Sequence, residues 1–259
     1  MKLGQDYDNL LAQLSDSDCY GEPLHRKIID VLDLTLLNKQ ATCNQMIQMA
    51  TTAIREQVAA ICIYPQHLSC IPAELTISKA TVLNFPHGSD DHQQVLATLD
   101  TLIADKHIDE LDYVFPYQAY LDNQQSYALS CCSQIVQNCK NANITCKVIL
   151  ETGVYPSLST VYEASSAIIN TGCDFLKTST GTIKPGATLP VAFTLLKAIC
   201  QHNIDCGIKL SGGITTIKQA GQLINLAELI EQRSVNKHWF RIGASTLLDN
   251  LIARKQLSN

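Results

Sequence analysis

Residues 174–182 read DFLKTSTGT and residues 207–214 read GIKLSGGI, and these two segments decide the fold. Each is a short apolar run that contains a single lysine and ends in small residues. Between them, residues 188–196 carry apolar side chains at a spacing of three to four, which predicts an amphipathic helix. A buried strand, a small-residue turn and a helix in this order form one βα unit of a parallel sheet.

The same order of elements occurs eight times along the chain. The predicted strands are residues 31–35, 58–65, 80–86, 110–116, 145–151, 174–180, 207–212 and 239–245. Eight such units in 259 residues favour an α/β fold of the closed (β/α)8 type, the TIM barrel, whose usual length is about 250 residues. An open sheet of eight strands is the alternative, because a count of strands does not exclude it.

We predict a single domain over residues 1–259. Residues 1–25 precede the first predicted strand and include an amphipathic segment at residues 7–14. We expect residues 1–25 to form an N-terminal helical extension that closes the bottom of the barrel.

Composition argues against several classes of partner. The net charge of −5 and the isoelectric point near 5.8 provide no basic surface for nucleic acid or for an anionic membrane. The first residues are polar and no run of about 20 apolar residues occurs, so we expect a soluble cytoplasmic protein. In that compartment the 11 cysteines, which include no CxxC pair, are expected to be reduced and mostly structural.

Charged residues interrupt predicted strands that should be wholly apolar. They are Asp33, Asp112, Lys147, Lys177 and Lys209. Strands covered on both faces consist mostly of Val, Ile and Leu, and an unpaired buried charge is unfavourable by several kcal/mol. One explanation is a structural network of ion pairs, and the other is a catalytic site.

Alternation along a strand places Lys177 on the same face as Ser179, and Lys209 on the same face as Ser211. Both lysines can therefore point into the barrel near the carboxyl ends of its strands, where the active sites of barrels lie. Two ammonium groups in a poorly hydrated site depress each other's pKa, which yields the neutral amine that attacks a carbonyl group. Asp112, on a nearby strand, could hold the second lysine and exchange protons with it. These residues predict imine formation on a carbonyl substrate.

Small residues follow the last three predicted strands. They are Thr180, Gly181 and Thr182, then Gly212 and Gly213, and finally Gly243, Ser245 and Thr246. Backbone N–H groups in such turns converge on an anion, and phosphate sites of barrels commonly form after strands seven and eight. We therefore expect a phosphorylated aldehyde or sugar as substrate. No HExxH motif or spaced set of His and Cys ligands occurs, so we predict neither a metal nor another cofactor.

Eight segments resemble, in order, the motifs of the deoxyribose-phosphate aldolase family. They are VLDLTLLN, AAICIYP, VLNFPHGSDD, ELDYVFPY, KVILETG, DFLKTSTGT, GIKLSGGI and RIGASTLL, and they extend from about residue 31 to about residue 248. The resemblance implies a class I aldolase barrel. Such an enzyme interconverts 2-deoxyribose 5-phosphate with acetaldehyde and glyceraldehyde 3-phosphate through a lysine Schiff base, in the catabolism of deoxyribose phosphate.

The resemblance also implies a role for individual residues. Lys177 would form the imine, Lys209 would lower the pKa of Lys177, and Asp112 would donate and accept protons. The residues expected to line the same pocket or to hold the phosphate are Asp33, Thr35, Cys62, Thr180, Gly181, Gly212, Gly213, Gly243, Ser245 and Thr246.

Two positions depart from the pattern of the family. Thr182 and Thr215 stand where relatives often carry a lysine and an arginine, and Lys184 is the nearest candidate for a replacement charge. Two alternatives stay open: another Schiff-base aldolase or isomerase that acts on a different phosphosugar, and a barrel that binds sugar phosphates without catalysis. The expected partners are small phosphosugars and aldehydes, and a homodimer is an open prediction.

Overall fold

Eight parallel strands close into a barrel, in which each strand pairs with the next along the chain and the last pairs with the first. The structure is a computed structural model, and it describes residues 7–8, 22–72, 75–105, 107–202 and 205–258. The strands are β1 (Leu32–Leu36), β2 (Ala60–Ile63), β3 (Ser78–Leu83), β4 (Glu110–Val114), β5 (Thr145–Ile149), β6 (Phe175–Lys177), β7 (Gly207–Ser211) and β8 (Phe240–Ala244).

Helices alternate with the strands. They are α1 (Glu22–Asp30), α2 (Cys43–Glu56), α3 (His92–Asp105), α4 (Tyr117–Leu121), α5 (Gln125–Asn141), α6 (Leu158–Ile169), α7 (Leu189–His202), α8 (Ile217–Glu231) and α9 (Leu247–Ser258). Short 3-10 helices at Pro65–Cys70 and Thr152–Val154 follow β2 and β5. This order confirms the predicted (β/α)8 barrel, and the open-sheet alternative is wrong.

Each predicted run overlaps a strand, but β3 and β6 both end three residues earlier than predicted. After Lys177 the chain is held by side chains, because the Thr178 hydroxyl donates to the carbonyl oxygen of Ser211 at 2.9 Å and accepts from the Ser211 N–H at 2.9 Å. Residues 178–180 therefore form a turn at the carboxyl end of the barrel.

Most of the predicted N-terminal extension lies outside the described residues. Of residues 1–25, the structure describes residues 7–8 and 22–25, which are helical. The ring of Tyr7 packs edge-on against Phe193 of α7, with 5.4 Å between the ring centroids. The position of the extension as a whole, and the extent of the domain over residues 1–259, stay predictions.

The apolar core lies between the barrel and its surrounding helices. Outward-facing strand residues such as Leu32, Ile61, Leu176 and Leu210 are fully buried there. Because the outward-facing strand residues form the apolar core, the inward-facing positions can hold charged side chains.

A group of charged residues fills the interior of the barrel, and we call it the charge cluster. Its members are Asp33, Glu110, Asp112, Lys147, Lys177, Lys209 and Arg241, and all are buried. Arg241 donates to Asp33 Oδ1 at 2.5 Å and to Glu110 Oε1 at 2.7 Å, and Lys147 forms an ion pair with Glu110. This part of the charge cluster is a structural network of ion pairs, which is one of the two explanations that the sequence left open.

One pair of cysteines contradicts the expectation of reduced thiols. Cys43 and Cys70 form a disulfide, with their Cα atoms 5.2 Å apart. Cys43 begins α2 and Cys70 ends the 3-10 helix after β2, so the pairing of β1 with β2 brings them together from 27 residues apart. The other described cysteines are free, and all of them except Cys200 are buried.

The described helices include none that joins sufficient length to the apolar composition needed to cross a membrane.

Arg241→Met is expected to lower the free energy of unfolding by about 3–5 kcal/mol, because it removes a charged partner from two buried carboxylates, Asp33 and Glu110. Arg55→Met is the matched control, since the side chain of Arg55 is 61% exposed and pairs with Glu56. An exposed pair contributes about 0–1 kcal/mol. Urea unfolding followed by circular dichroism measures both variants, and an equally small loss in each would contradict the prediction.

Candidate active site

Two lysines and one aspartate meet inside the barrel. Lys177 is the last residue of β6 and stands opposite Lys209 in the register of β6 with β7. Lys177 Nζ donates to Asp112 Oδ2 at 2.6 Å, and Lys209 Nζ donates to the same oxygen at 2.7 Å. The structure thus brings together the three residues that the sequence singled out for chemistry, although they are far apart along the chain.

The two lysines differ in pKa. Burial lowers the pKa of Lys177 and the charge of Lys209 lowers it further, against the opposing attraction of Asp112. Burial also disfavours the ammonium form of Lys209, but the carboxylates of Asp112 and Asp33 outweigh it and raise the pKa of Lys209 above its ordinary range. Lys177 is therefore the better nucleophile, and Lys209 keeps its proton.

The expectation that the lysines depress each other's pKa is wrong for Lys209. Its ammonium group forms a second ion pair with Asp33 Oδ2 at 2.5 Å, which stabilises the charged form. Lys209 acts on Lys177 as a fixed positive charge, because its own proton is held by two carboxylates.

Asp112 is held as a carboxylate. Burial would raise its pKa, but Lys147, Lys177 and Lys209 together hold the pKa well below its ordinary value. Lys147 Nζ donates to Asp112 Oδ1 at 3.1 Å, so Oδ2 is left to the other two lysines. The Cys62 thiol lies 3.8 Å from Oδ2, and burial together with the Asp112 charge raises the pKa of Cys62 to about 11.

Sequence reasoning missed two members of the charge cluster. Glu110 is the first residue of β4, and Arg241 is the second residue of β8. Arg241 interrupts a predicted strand, as Asp112 does, and Glu110 begins one, so the same signal of charge in an apolar run could have found both.

A cavity of about 370 Å³ lies at the carboxyl ends of the strands, above the charge cluster. Its lining includes the predicted residues Thr35, Lys177, Thr180, Gly181, Gly212, Gly213, Gly243 and Ser245. Asp33 and Cys62, which were predicted to line the pocket, are instead fully buried beside Asp112 and Lys209, and Thr246 is exposed outside the lining.

One wall of the cavity is apolar. Tyr64 after β2 and Phe85 after β3 both line it, and their rings meet edge-on with 5.7 Å between the centroids. Behind them, Cys62 and Val82 form a small apolar cluster that is separate from the core around the barrel. Sequence analysis did not identify this wall, because it placed Tyr64 and Phe85 within predicted strands, whereas the structure places both after the strand ends.

The opposite wall is formed by small residues and hydroxyl groups. Gly181, Gly212 and Gly213 have positive φ angles of 91°, 93° and 82°, which side chains other than glycine disfavour. A Cβ atom on Gly186 would lie 2.1 Å from the carbonyl oxygen of Gly212, so the turns after β6 and β7 are in close contact.

Positive charge is sparse around this cavity. Among the described residues that line it, Lys177 is the one lysine or arginine, and Thr182 and Thr215 contribute hydroxyl groups. Lys184 is exposed and is not part of the lining. Within the described ranges, no group of three or more His, Cys, Asp and Glu side chains is placed to hold a metal ion. A site without metal or other cofactor stays a prediction.

Comparison with known proteins identifies relatives of the chain. The family model described as DeoC/LacD family aldolase matches residues 27–250. The tetrameric deoxyribose phosphate aldolase from Aeropyrum pernix is 24% identical, with a TM-score of 0.77 over 96% of this chain and 97% of that one. A proposed deoxyribose-phosphate aldolase from Coccidioides immitis is 21% identical, with a TM-score of 0.78 over 98% and 97% of the two chains.

A proposed deoxyribose-phosphate aldolase from Toxoplasma gondii is 19% identical, with a TM-score of 0.81 over 91% of this chain and 95% of that one. At these identities the structural likeness shows a shared fold.

Lys209→Met is expected to raise the pKa of Lys177, because it removes a neighbouring positive charge and frees Asp112 to hold the Lys177 ammonium group. The pH profile of imine formation with an aldehyde should then shift upward by about 1–2 pH units. Borohydride trapping across a pH series measures this shift. Lys197→Met, which removes a lysine that packs over Phe193 on α7, is the control and should leave the profile in place. An unchanged profile in folded Lys209→Met would contradict the prediction.

Proposed function

Because the chain belongs to the DeoC/LacD family of aldolases, we propose that it cleaves 2-deoxy-D-ribose 5-phosphate reversibly into acetaldehyde and D-glyceraldehyde 3-phosphate. The observation that carries this proposal is the convergence of Lys177 and Lys209 on one oxygen of Asp112 beneath the cavity. It pairs a lysine of lowered pKa with a charged neighbour, which is a recognised way to activate a Schiff-base lysine.

The first step is imine formation at the aldehyde carbon of the open-chain sugar. The neutral amine of Lys177 attacks that carbon, and the tetrahedral adduct loses water to give a protonated imine. The proton that Lys177 must lose has an acceptor at 2.6 Å in Asp112 Oδ2. Asp112 then returns this proton to the departing hydroxyl group, which leaves as water, while Lys209 stays charged.

Carbon–carbon cleavage follows from the imine. A base removes the proton of the C3 hydroxyl, the C2–C3 bond breaks, and its electron pair forms an enamine on Lys177. Glyceraldehyde 3-phosphate leaves, the enamine is protonated at C2, and water then releases acetaldehyde from the imine. Asp112 is the base of this step: it accepts the proton of the C3 hydroxyl through a water molecule and returns it to C2, while Lys209 keeps its charge beside it.

The cavity orients the substrate along its length. Lys177 receives the aldehyde end, and the phosphate end would lie among the backbone N–H groups of the turn that contains Gly212 and Gly213 and of the end of β8, where Gly243 lies. Ser245 adds a hydroxyl group to this end of the lining. Backbone donors of this kind can hold an anion without a cationic side chain.

Two other functions fit parts of the same site. A different Schiff-base aldolase or isomerase would keep both lysines but would release other products, which product analysis distinguishes. A barrel that only binds sugar phosphates would show no turnover. The proposal also includes a cytoplasmic role in deoxyribose phosphate catabolism and a homodimeric assembly, which sedimentation would distinguish from a tetramer.

Acetaldehyde and borohydride are expected to leave an ethyl group on Lys177, because this lysine is the one with a lowered pKa next to the cavity. Peptide mapping by mass spectrometry locates the label. Lys177→Ala should lose the label and reduce cleavage of 2-deoxyribose 5-phosphate by at least about a thousandfold. Lys197→Ala, outside the cavity, is the control. A label on a different lysine, or none in the wild type, would refute the proposal.

A further inference from the structure

A buried carboxyl group lies outside the charge cluster. Glu151 follows β5 with a left-handed backbone, φ 57°, and its side chain is fully buried. Its Oε1 atom has no hydrogen-bond partner among the described residues. The catalytic steps above make no use of Glu151, so its burial needs another explanation.

Two threonines connect Glu151 to the cavity. The backbone N–H and the hydroxyl of Thr180 both donate to Glu151 Oε2, at 3.2 and 2.5 Å. The Thr182 N–H donates to the Thr180 hydroxyl at 3.1 Å, and the two threonine hydroxyls lie 2.7 Å apart. Thr180 is 9% exposed, whereas Thr182 is exposed, and both line the cavity. We call Glu151, Thr180 and Thr182 the threonine relay.

The direction of these hydrogen bonds depends on one proton. When Glu151 is a carboxylate, Thr180 donates its hydroxyl proton to Oε2 and Thr182 donates to Thr180. The Thr182 oxygen then presents only lone pairs to the cavity and can accept from a hydroxyl group. When Oε2 carries a proton, both threonine hydroxyls reverse, and Thr182 donates into the cavity.

The surroundings of Glu151 favour its protonation. Burial raises its pKa, while the hydrogen bonds from Thr180 and the positive charge of Lys177 oppose the increase without cancelling it. Ser179 also lowers this pKa, and the Glu151 charge in turn raises the pKa of Tyr117 and of Tyr155. Among the groups that shift the pKa of Glu151, Lys177 is the one cation.

We propose that the threonine relay determines which substrate tail the cavity accepts, by accepting from a hydroxyl tail when Glu151 is ionised and donating to a phosphate tail when Glu151 is protonated. A carboxylate behind Thr182 would repel a phosphate group, and a neutral carboxylic acid removes that repulsion. Phosphate binding is therefore coupled to the uptake of one proton from solvent, which is released when the phosphate leaves. This inference rests on the proposed function and specifies how the tail is recognised.

The sign of the pH dependence follows from this coupling. The form that binds phosphate is the protonated one, so affinity is complete below the pKa of Glu151 and is lost as the pH rises through it. Above that pKa the affinity should fall about tenfold for each pH unit. The phosphate group has its own ionisation, but this contribution is the same in the wild type and in every variant.

The test measures proton uptake when inorganic phosphate binds, by titration calorimetry in two buffers of different ionisation enthalpy. The wild type is expected to take up more protons than Glu151→Gln, which cannot be protonated, and than Thr182→Val, which breaks the relay at the cavity. Thr215→Val is the matched control, because it removes another hydroxyl of the lining whose backbone bonds to Gln219 rather than to the relay. Thr215→Val should therefore keep the uptake of the wild type.

The outcomes separate this inference from the proposed function. Equal proton uptake in the wild type and Thr182→Val, or no phosphate binding by the wild type, overturns the threonine relay. Thr182 is exposed, so Thr182→Val decides the question even where Glu151→Gln does not fold. Acetaldehyde has no tail, so borohydride labelling of Lys177 should persist in both relay variants, and its absence from the wild type refutes the aldolase instead.

Discussion

A single buried carboxylate organises the interior of this barrel. Asp112 has no exposed surface, and it can remain ionised there only because three lysines surround it. Lys147 binds one oxygen, and the other oxygen is shared by Lys177 and Lys209. The position of each lysine follows from the need to compensate this charge, whereas the lowered pKa of Lys177 follows from its burial and from the Lys209 charge beside it.

The charge cluster therefore contains both structural ion pairs and the lysines of the proposed chemistry. Arg241 and Lys147 are held by Glu110 deep in the barrel, where they neutralise carboxylates. Lys177 reaches the cavity, and it has one carboxylate partner where Lys209 has two. The number of anionic partners, rather than burial alone, distinguishes the lysine that gives up its proton from the one that keeps it.

The sequence predicted the fold because eight apolar runs each alternate with a helix, and it predicted the central residues because charge is conspicuous within such runs. It did not predict the pKa of Lys209, since the second ion pair with Asp33 forms only after barrel closure has placed β1 next to β8, and thus two strands from β7. It also missed the disulfide, because Cys43 and Cys70 belong to different βα units that meet only after β1 and β2 have paired. The role of Glu151 could not be predicted from the sequence, because its hydrogen bonds come from Thr180, which lies after β6.

The disulfide gives the two sides of the cavity mouth different stiffness. It ties the start of α2 to the segment after β2, and hydrogen bonds from Gln66 to Lys39 and between His67 and Asn38 join the same two loops. The loops after β1 and β2 are therefore cross-linked to each other beside Tyr64. Reduction of the disulfide would remove a constraint from this side of the mouth and leave the contacts among the glycine turns opposite unchanged.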